Sequence, residues 1–179
     1  MNIIKALRQS IYGWIMILRG ETNWQARFRF TSAGLIAALV LFYLCAFLAM
    51  VLGSLSYGVP QLFDFVASMA LQSLFLVALV IGLFATRFAI RDQKPVLPVL
   101  VPGIYALIYY LILGALLNLT VGMVLPLLWL GLLYMFYRLG RAASGWTIGV
   151  SVAFAVLTVL LLVGTPIALY IMPAPMPAA

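Results

Sequence analysis

The sequence predicts an all-α membrane protein: five transmembrane helices that follow an amphipathic interfacial helix, with the N-terminus inside and the C-terminus outside. Hydrophobic residues make up 67% of the 179 residues and charged residues only 7%. A water-soluble fold of this length could not bury so much apolar surface, so lipid is the expected solvent. The 10 Lys and Arg residues lie only in the N-terminal arm and in every second gap between apolar runs. Basic loops are retained in the cytoplasm, so this alternation predicts the orientation.

The N-terminal arm, residues 1–30, begins with helical periodicity. Apolar residues recur on one face, and polar or basic residues on the opposite face: Ile4, Leu7, Ile11, Ile15 and Leu18 against Lys5, Arg8, Gln9, Tyr12 and Arg19. This pattern is typical of a helix lying in the plane of the membrane interface. A secretory signal peptide is the alternative, but polar residues interrupt its apolar core and no small-residue cleavage site follows.

The rest of the arm is expected at the lipid headgroups. Gly20 is predicted to end the helix in a left-handed conformation. Trp24, Phe28 and Phe30 suit the headgroup region. We expect anionic lipids at the cytoplasmic face to be contacted by the five cations of the arm: Lys5, Arg8, Arg19, Arg27 and Arg29.

The transmembrane spans are predicted at about 31–54, 63–85, 96–117, 121–137 and 145–171. An uncharged outer turn with Gly58 and Pro60 separates the first two, and basic inner loops at 87–94 and 138–144 follow the second and fourth. Asn118-Leu119-Thr120 is the only connection left between the third and fourth spans, which predicts a tight hairpin with Thr120 as a helix cap. The tail 172–179 is expected outside.

The composition leaves little for catalysis. The chain has no His and only three acids, Glu21, Asp64 and Asp92, and Glu21 and Asp92 are expected in solvated ion pairs with arginines. The single Cys45 is expected to be a small core residue. We therefore predict no catalytic, cofactor or metal site and no enzyme activity. The cations are dispersed beside the bilayer, so nucleic acid is not an expected partner.

The second span carries a stripe of polar and small residues from one interface to the other: Asp64, Ser68, Gln72, Gly82 and Thr86. One hypothesis is a path for protons or cations, because ionisable groups inside a membrane are costly and commonly mark such routes. The alternative is structural. Asp64 would then stabilise the helix N-terminus, while Ser68 and Gln72 make hydrogen bonds between helices.

The fifth span carries two stripes. Gly145, Gly149 and Ala153 recur at spacing four, which favours close helix packing, either within the bundle or between subunits. The hydroxyl stripe consists of Thr147, Ser151, Thr158 and Thr165. Such hydroxyls can bond to carbonyls one turn back, so they are weak evidence for a pore.

The layout of the chain resembles that of Yip1-type five-span proteins, particularly short bacterial members and uncharacterised proteobacterial inner-membrane proteins. The features that carry this resemblance are the arm from Ala6-Leu7-Arg8 to Leu18-Arg19-Gly20, the five spans and the basic loop after the second span. The resemblance implies a bacterial inner (plasma) membrane. It transfers no functional residue, because the second span reads Leu62-Phe63-Asp64-Phe65 in place of the acidic-Leu-Tyr-Gly-Pro signature of the eukaryotic relatives.

Small-residue helix faces and a basic cytoplasmic surface predict a function by association. We expect a non-enzymatic accessory or scaffold subunit, or a membrane organiser, with a membrane-protein partner or a second copy of the chain. A small channel or transporter using the stripe of the second span is the alternative.

Overall fold

The computed structural model describes residues 3–54, 61–120 and 125–171, and within these ranges every regular element is a helix. A short 3-10 helix, Thr22–Arg27, follows the first α-helix. The α-helices are α1 Ile3–Arg19, α2 Ser32–Ser54, α3 Leu62–Ile90, α4 Leu97–Thr120, α5 Leu125–Ser144 and α6 Ile148–Ile171.

Four helices of the described part, α2, α3, α4 and α6, are long and apolar enough to cross a membrane. These spans have 21 to 29 residues, more than the roughly 18 apolar residues that indicate a membrane span. The described part of α5 has 20 residues, but Arg138 and Arg141 near its end make it less apolar. The chain is therefore an all-helical, multi-pass membrane protein.

The helices α3 and α5 extend beyond the C-terminal ends of the predicted spans. Arg87 lies in the last turns of α3, and Arg138 and Arg141 lie in those of α5, whereas the sequence placed all three in loops. Cations near a helix C-terminus complement its dipole, so these residues favour continuation of the helix into the headgroup region.

The hairpin turn predicted at Asn118-Leu119-Thr120 is wrong, because α4 continues through Thr120. None of the three residues is Gly or Pro, so nothing in them ends a helix. Thr120 therefore belongs to the end of α4. The predicted outer turn at Gly58 and Pro60, residues 121–124 and the tail 172–179 lie outside the described residues.

The helices α3, α4, α5 and α6 contact one another in a closed order, and α2 packs on α4. Their shared core consists of fully buried apolar side chains from all four helices: Leu79, Leu83, Ile104, Leu107, Phe136, Leu139, Phe154 and Leu162. The most enclosed span is α4, of which 56% is buried, compared with 28–33% for the other three. The ring of four helices is thus filled by packed side chains.

The arm helix α1 is docked on this bundle. Its buried face contains Ser10, Gly13, Trp14 and Ile17. The indole of Trp14 donates to the carbonyl of Pro102 on α4 at 3.2 Å. Hydrophobic contact and this hydrogen bond together hold α1 against α4. The apolar face predicted from the sequence is a neighbouring one, and its Ile11 and Ile15 are exposed by 44% and 39%.

Two further bonds fix α1 at both ends of this contact. The hydroxyls of Ser10 and Tyr109 are 2.5 Å apart, and Arg138 of α5 donates to the carbonyl of Ile17 at 3.0 Å. Gly20 follows with φ of +80°, which confirms the predicted left-handed end of α1. A left-handed residue at this position lets the amide of Glu21 bond back to Met16.

Candidate functional site

The polar stripe on α3 begins with Asp64. The side chain is exposed and lies in the first turn of the helix, three residues after the N-cap Gln61. Asp64 is therefore not the cap itself, and its stabilising contribution is limited to the favourable interaction of a carboxylate with the helix dipole.

The middle of the stripe does not form the hydrogen bonds expected of it. Ser68 and Gln72 are half-buried, and the Oε1 atom of Gln72 is buried with no hydrogen-bond partner among the described residues. The bond between helices is made by the neighbouring Ser73, whose hydroxyl lies 3.0 Å from that of Tyr43 on α2. The sequence pattern thus identified the polar region of α3 but not the residue that connects it to α2.

The C-terminal half of the stripe is occupied by helix packing. Thr86 donates to the carbonyl of Gly82, one turn back on the same helix, at 2.7 Å. Gly82 faces α6 so closely that a Cβ atom there would collide with Thr158. The small and polar residues of this half therefore allow α3 and α6 to approach each other.

On α6, the hydroxyl stripe faces the bundle and the glycine stripe does not. Ser151 and Thr158 are both 0% exposed. They lie against glycines of neighbouring helices, Gly140 on α5 and Gly82 on α3. Their hydroxyl oxygens have no hydrogen-bond partner in the described part of the chain, so the carbonyl bonds that the sequence allowed are not formed here.

Gly149 and Ala153, which were expected to mediate close packing, are exposed. No atom of another described residue lies within 4 Å of a Cβ built on Gly149. Gly145 is not on the helix at all, because α6 begins at Ile148 and Gly145 adopts φ of +63° in the preceding turn. The packing of this stripe within the bundle is therefore not observed, and Gly149 and Ala153 form an open face of α6.

The segments after α3 and α5 are joined by a network that the sequence did not predict. The carboxylate of Asp92 accepts from the indole of Trp146 at 2.7 Å and from the amide of Lys94 at 3.0 Å. Lys94 in turn donates through Nζ to the carbonyl of Ser144 at 2.6 Å. The guanidinium of Arg87 donates to the backbone carbonyls of Asp92 and Lys94. Among the described residues, no arginine forms the expected ion pair with the carboxylate of Asp92. We call these five residues the loop clamp.

The loop clamp contains one acid, Asp92, and lowers its pKa. The hydrogen bond from the Lys94 amide, that from Trp146, and the charges of Arg87 and Lys94 hold the pKa of Asp92 below its ordinary value. The ionised form is thus the one that the clamp stabilises. The sequence does not identify Trp146 as a partner of Asp92. The two residues are far apart in the chain, and an indole is uncharged, so charge complementarity does not indicate the pair.

The five cations predicted to contact lipid separate into two groups. Lys5, Arg27 and Arg29 converge on a cavity of about 520 Å³ between α1, the start of α2, and α4. Arg8 and Arg19 are exposed on α1 and do not line it. We call this space the basic cavity.

Two aromatic residues of the arm that were expected in the headgroup region, Trp24 and Phe28, are buried in the protein. Trp24 and Phe28 are 2% and 7% exposed. Phe28 contacts Phe30 and Trp24, and its ring centre lies 5.9 Å from that of Tyr105 on α4. This aromatic cluster attaches the segment before α2 to the bundle and so forms one wall of the basic cavity.

The described residues contain no group of three or more His, Cys, Asp or Glu side chains that could hold a metal ion. Cys45 is buried on α2 and forms no disulfide. The chain matches no family model, and comparisons with curated proteins and with solved structures found no similar protein.

Proposed function

We propose that the chain acts by association, as a non-enzymatic scaffold or accessory subunit that binds a membrane-protein partner or a second copy of itself. The supporting observation is the open face of α6. Its hydroxyl side makes the contacts within the bundle, while Gly149 and Ala153 are exposed. Two small residues one turn apart allow another helix to approach closely, which is how helices associate where lipid supplies no hydrophobic driving force.

The experiment replaces Gly149 by Leu and measures partner co-purification or self-association in mild detergent. The leucine fills the open face without touching the bundle, so we expect association to be lost while the monomer stays folded. Gly131→Leu on α5 is the matched control, because Gly131 is equally open but lies outside this face. Full association of the Gly149 variant, or equal loss in both variants, would overturn the proposal.

The rival proposal is a conduit along the stripe of α3, and one observation favours it: the buried, unpartnered Oε1 of Gln72. The C-terminal half of the stripe on α3, however, is filled by the contact between Gly82 and Thr158. Under the scaffold proposal, Asp64→Asn and Gln72→Leu leave ion flux into reconstituted vesicles unchanged. Loss of a measurable wild-type flux in these variants would favour the conduit instead.

We further propose that α5 also crosses the membrane, as the fourth of five spans. The loop clamp joins Lys94, just before α4, to Ser144, at the end of α5. If α4 crosses the bilayer, the chain must return across it to reach this contact. A helix of 20 residues is about 30 Å long, which matches the hydrocarbon core.

The orientation and location complete this proposal. Basic segments are retained in the cytoplasm, so the end of the bundle with the loop clamp is placed inside, in a bacterial inner membrane. The exposed Ile11 and Ile15 of α1 would then face the cytoplasmic leaflet. The Yip1-type resemblance agrees with this layout and is part of the proposal.

A further inference from the structure

We propose that the basic cavity is a binding site for the phosphate group of one anionic phospholipid. This inference is independent of the association proposed above. It concerns a single site of defined residues, as distinct from a general attraction of basic residues to the membrane surface. The volume of about 520 Å³ lies within the range of roughly 300–1,000 Å³ of small-molecule sites.

The charge of the cavity selects an anion. Lys5 comes from α1, and Arg27 and Arg29 come from the segment before α2, so three cations from two elements surround one space. No acidic residue lines it, and none of the three cations has a hydrogen bond or ion pair within the described ranges. Three like charges repel one another, and a phosphate placed between them removes this cost while accepting charge-assisted hydrogen bonds.

The backbone aims the two arginines at the same space. Phe28 is extended, with φ of −114° and ψ of 148°, and successive side chains of extended backbone point to opposite sides. Arg27 and Arg29 are consequently exposed while Phe28 is buried. The arginine pair is thus held in place by the aromatic ring between them.

Two glycines bring the walls together. A Cβ at Gly13 would collide with the ring of Phe28, and a Cβ at Gly34 would collide with the backbone of Arg29. Thr31 caps α2 by accepting from the amide of Gly34 at 3.1 Å, so α2 begins at the cavity and adds the positive end of its dipole.

The remaining walls indicate a lipid as the source of the phosphate. Ala33 and Ala37 on α2, and Val101 on α4, line the cavity on its apolar side. The alanines lie one turn apart at the start of a membrane-spanning helix, so they leave a shallow path from the cavity along α2. A phospholipid suits this arrangement, because its phosphate would meet the cations while an acyl chain follows the small residues.

The experiment measures retained lipid by native mass spectrometry of the full chain in mild detergent with added dioleoylphosphatidylglycerol or dioleoylphosphatidylcholine. We expect one phosphatidylglycerol to bind in preference to phosphatidylcholine. Arg27→Gln combined with Arg29→Gln should weaken this binding at least about tenfold, since two charge-assisted hydrogen bonds are removed. Arg8→Gln combined with Arg19→Gln removes the same charge outside the cavity and should change it less than about threefold.

A second variant distinguishes loss of the binding site from misfolding of the double arginine mutant. Ala37→Phe keeps every charge but blocks the path along α2, and we expect it to weaken phosphatidylglycerol binding as well. Inorganic phosphate is the competing probe. Equal losses in the two arginine pairs, full binding by the Ala37 variant, or no preference for phosphatidylglycerol would overturn the proposal. Displacement of the lipid by millimolar phosphate would show a site for soluble anions and overturn the assignment to lipid.

Discussion

Asp92 is the residue on which the connection between the segments after α3 and α5 depends. Its two carboxylate oxygens accept from different elements, Oδ1 from the Lys94 amide and Oδ2 from the Trp146 indole. A carboxylate can accept from both donors without reorienting, whereas a carboxamide has only one accepting oxygen. The negative charge of Asp92 and both of its carboxylate oxygens therefore contribute to the loop clamp.

This arrangement predicts a pH dependence of stability. The pKa of Asp92 is lowered in the folded protein, so its contribution is fully present above the unfolded pKa of about 4 and is lost as pH falls through the lower folded value. We expect Asp92→Asn to unfold more easily than the wild type at pH 7, and the difference to shrink toward pH 3. The measurement is the thermal unfolding midpoint in detergent at several pH values.

Glu21→Gln is the control for this prediction, because Glu21 is exposed and lies outside the loop clamp. It should leave the dependence of the unfolding midpoint on pH unchanged. Wild-type and Asp92→Asn curves that stay parallel from pH 7 to pH 3 would contradict the role given to the carboxylate.

The left-handed residues show what the sequence can and cannot predict at this scale. The conformation of Gly20 was predicted because a glycine that follows a helical segment commonly ends the helix in the left-handed conformation. Gly145 was misplaced because the glycine at spacing four from Gly149 also fits a helix stripe, and spacing alone does not distinguish the two. Arg91, with φ of 53°, gave no signal, because the conformation is imposed by the closing bonds of α3.

At the scale of the helix, α6 shows why a pattern alone does not determine which face packs. Both stripes of α6 were visible in the sequence, yet the hydroxyl face is buried and the glycine face is open. In a soluble helix, the apolar face would identify the core. In a membrane helix every face is apolar enough for lipid, so the choice depends on the shapes of the neighbouring helices.

The contact between α3 and α6 yields a prediction for Gly82. A leucine there must displace Thr158 or separate the two helices, so Gly82→Leu should lower the free energy of unfolding by about 1–3 kcal/mol. Gly149→Leu, on the open face, should change it by less than about 0.5 kcal/mol. The measurement is loss of helicity during titration of the monomer with a denaturing detergent, and similar losses for both variants would reject the packing described here.

The same limit applies to α1. Its periodicity correctly predicted a helix with an apolar face and a charged face, but the buried face of Trp14 and Ile17 lies between them. Hydrophobic periodicity distinguishes an apolar face from a polar one. Because α1 has two apolar surfaces, one against α4 and one exposed, periodicity does not show which of them packs on the protein. The basic cavity was not predictable for a related reason. Its cations come from α1 and the segment before α2, and only the docking of α1 brings them together.

At the scale of the molecule, the three basic segments of the sequence are brought together by hydrogen bonds in the structure. The arm, the segment after α3 and the segment after α5 are far apart in sequence, and the bonds of Lys94 with Ser144 and of Arg138 with Ile17 bring them to one end. Positive charge retained on one side of a membrane would produce this arrangement. Charge alternation is therefore consistent with these contacts, whereas hydropathy placed the ends of α3 and α5 too early in the chain.

The proposal that α5 crosses the membrane is tested by fusions that report the side of the membrane. With five spans, a fusion at Arg141 is inside and one at Ala179 is outside. If α5 did not cross, both assignments would be reversed, because α4 and α6 would then be consecutive crossings. We expect alkaline phosphatase to be active only at Ala179 and green fluorescent protein to fluoresce only at Arg141. A fusion at Lys94 is the control, since it precedes α4 and is inside under either topology; phosphatase activity at Arg141 would exclude α5 as a span.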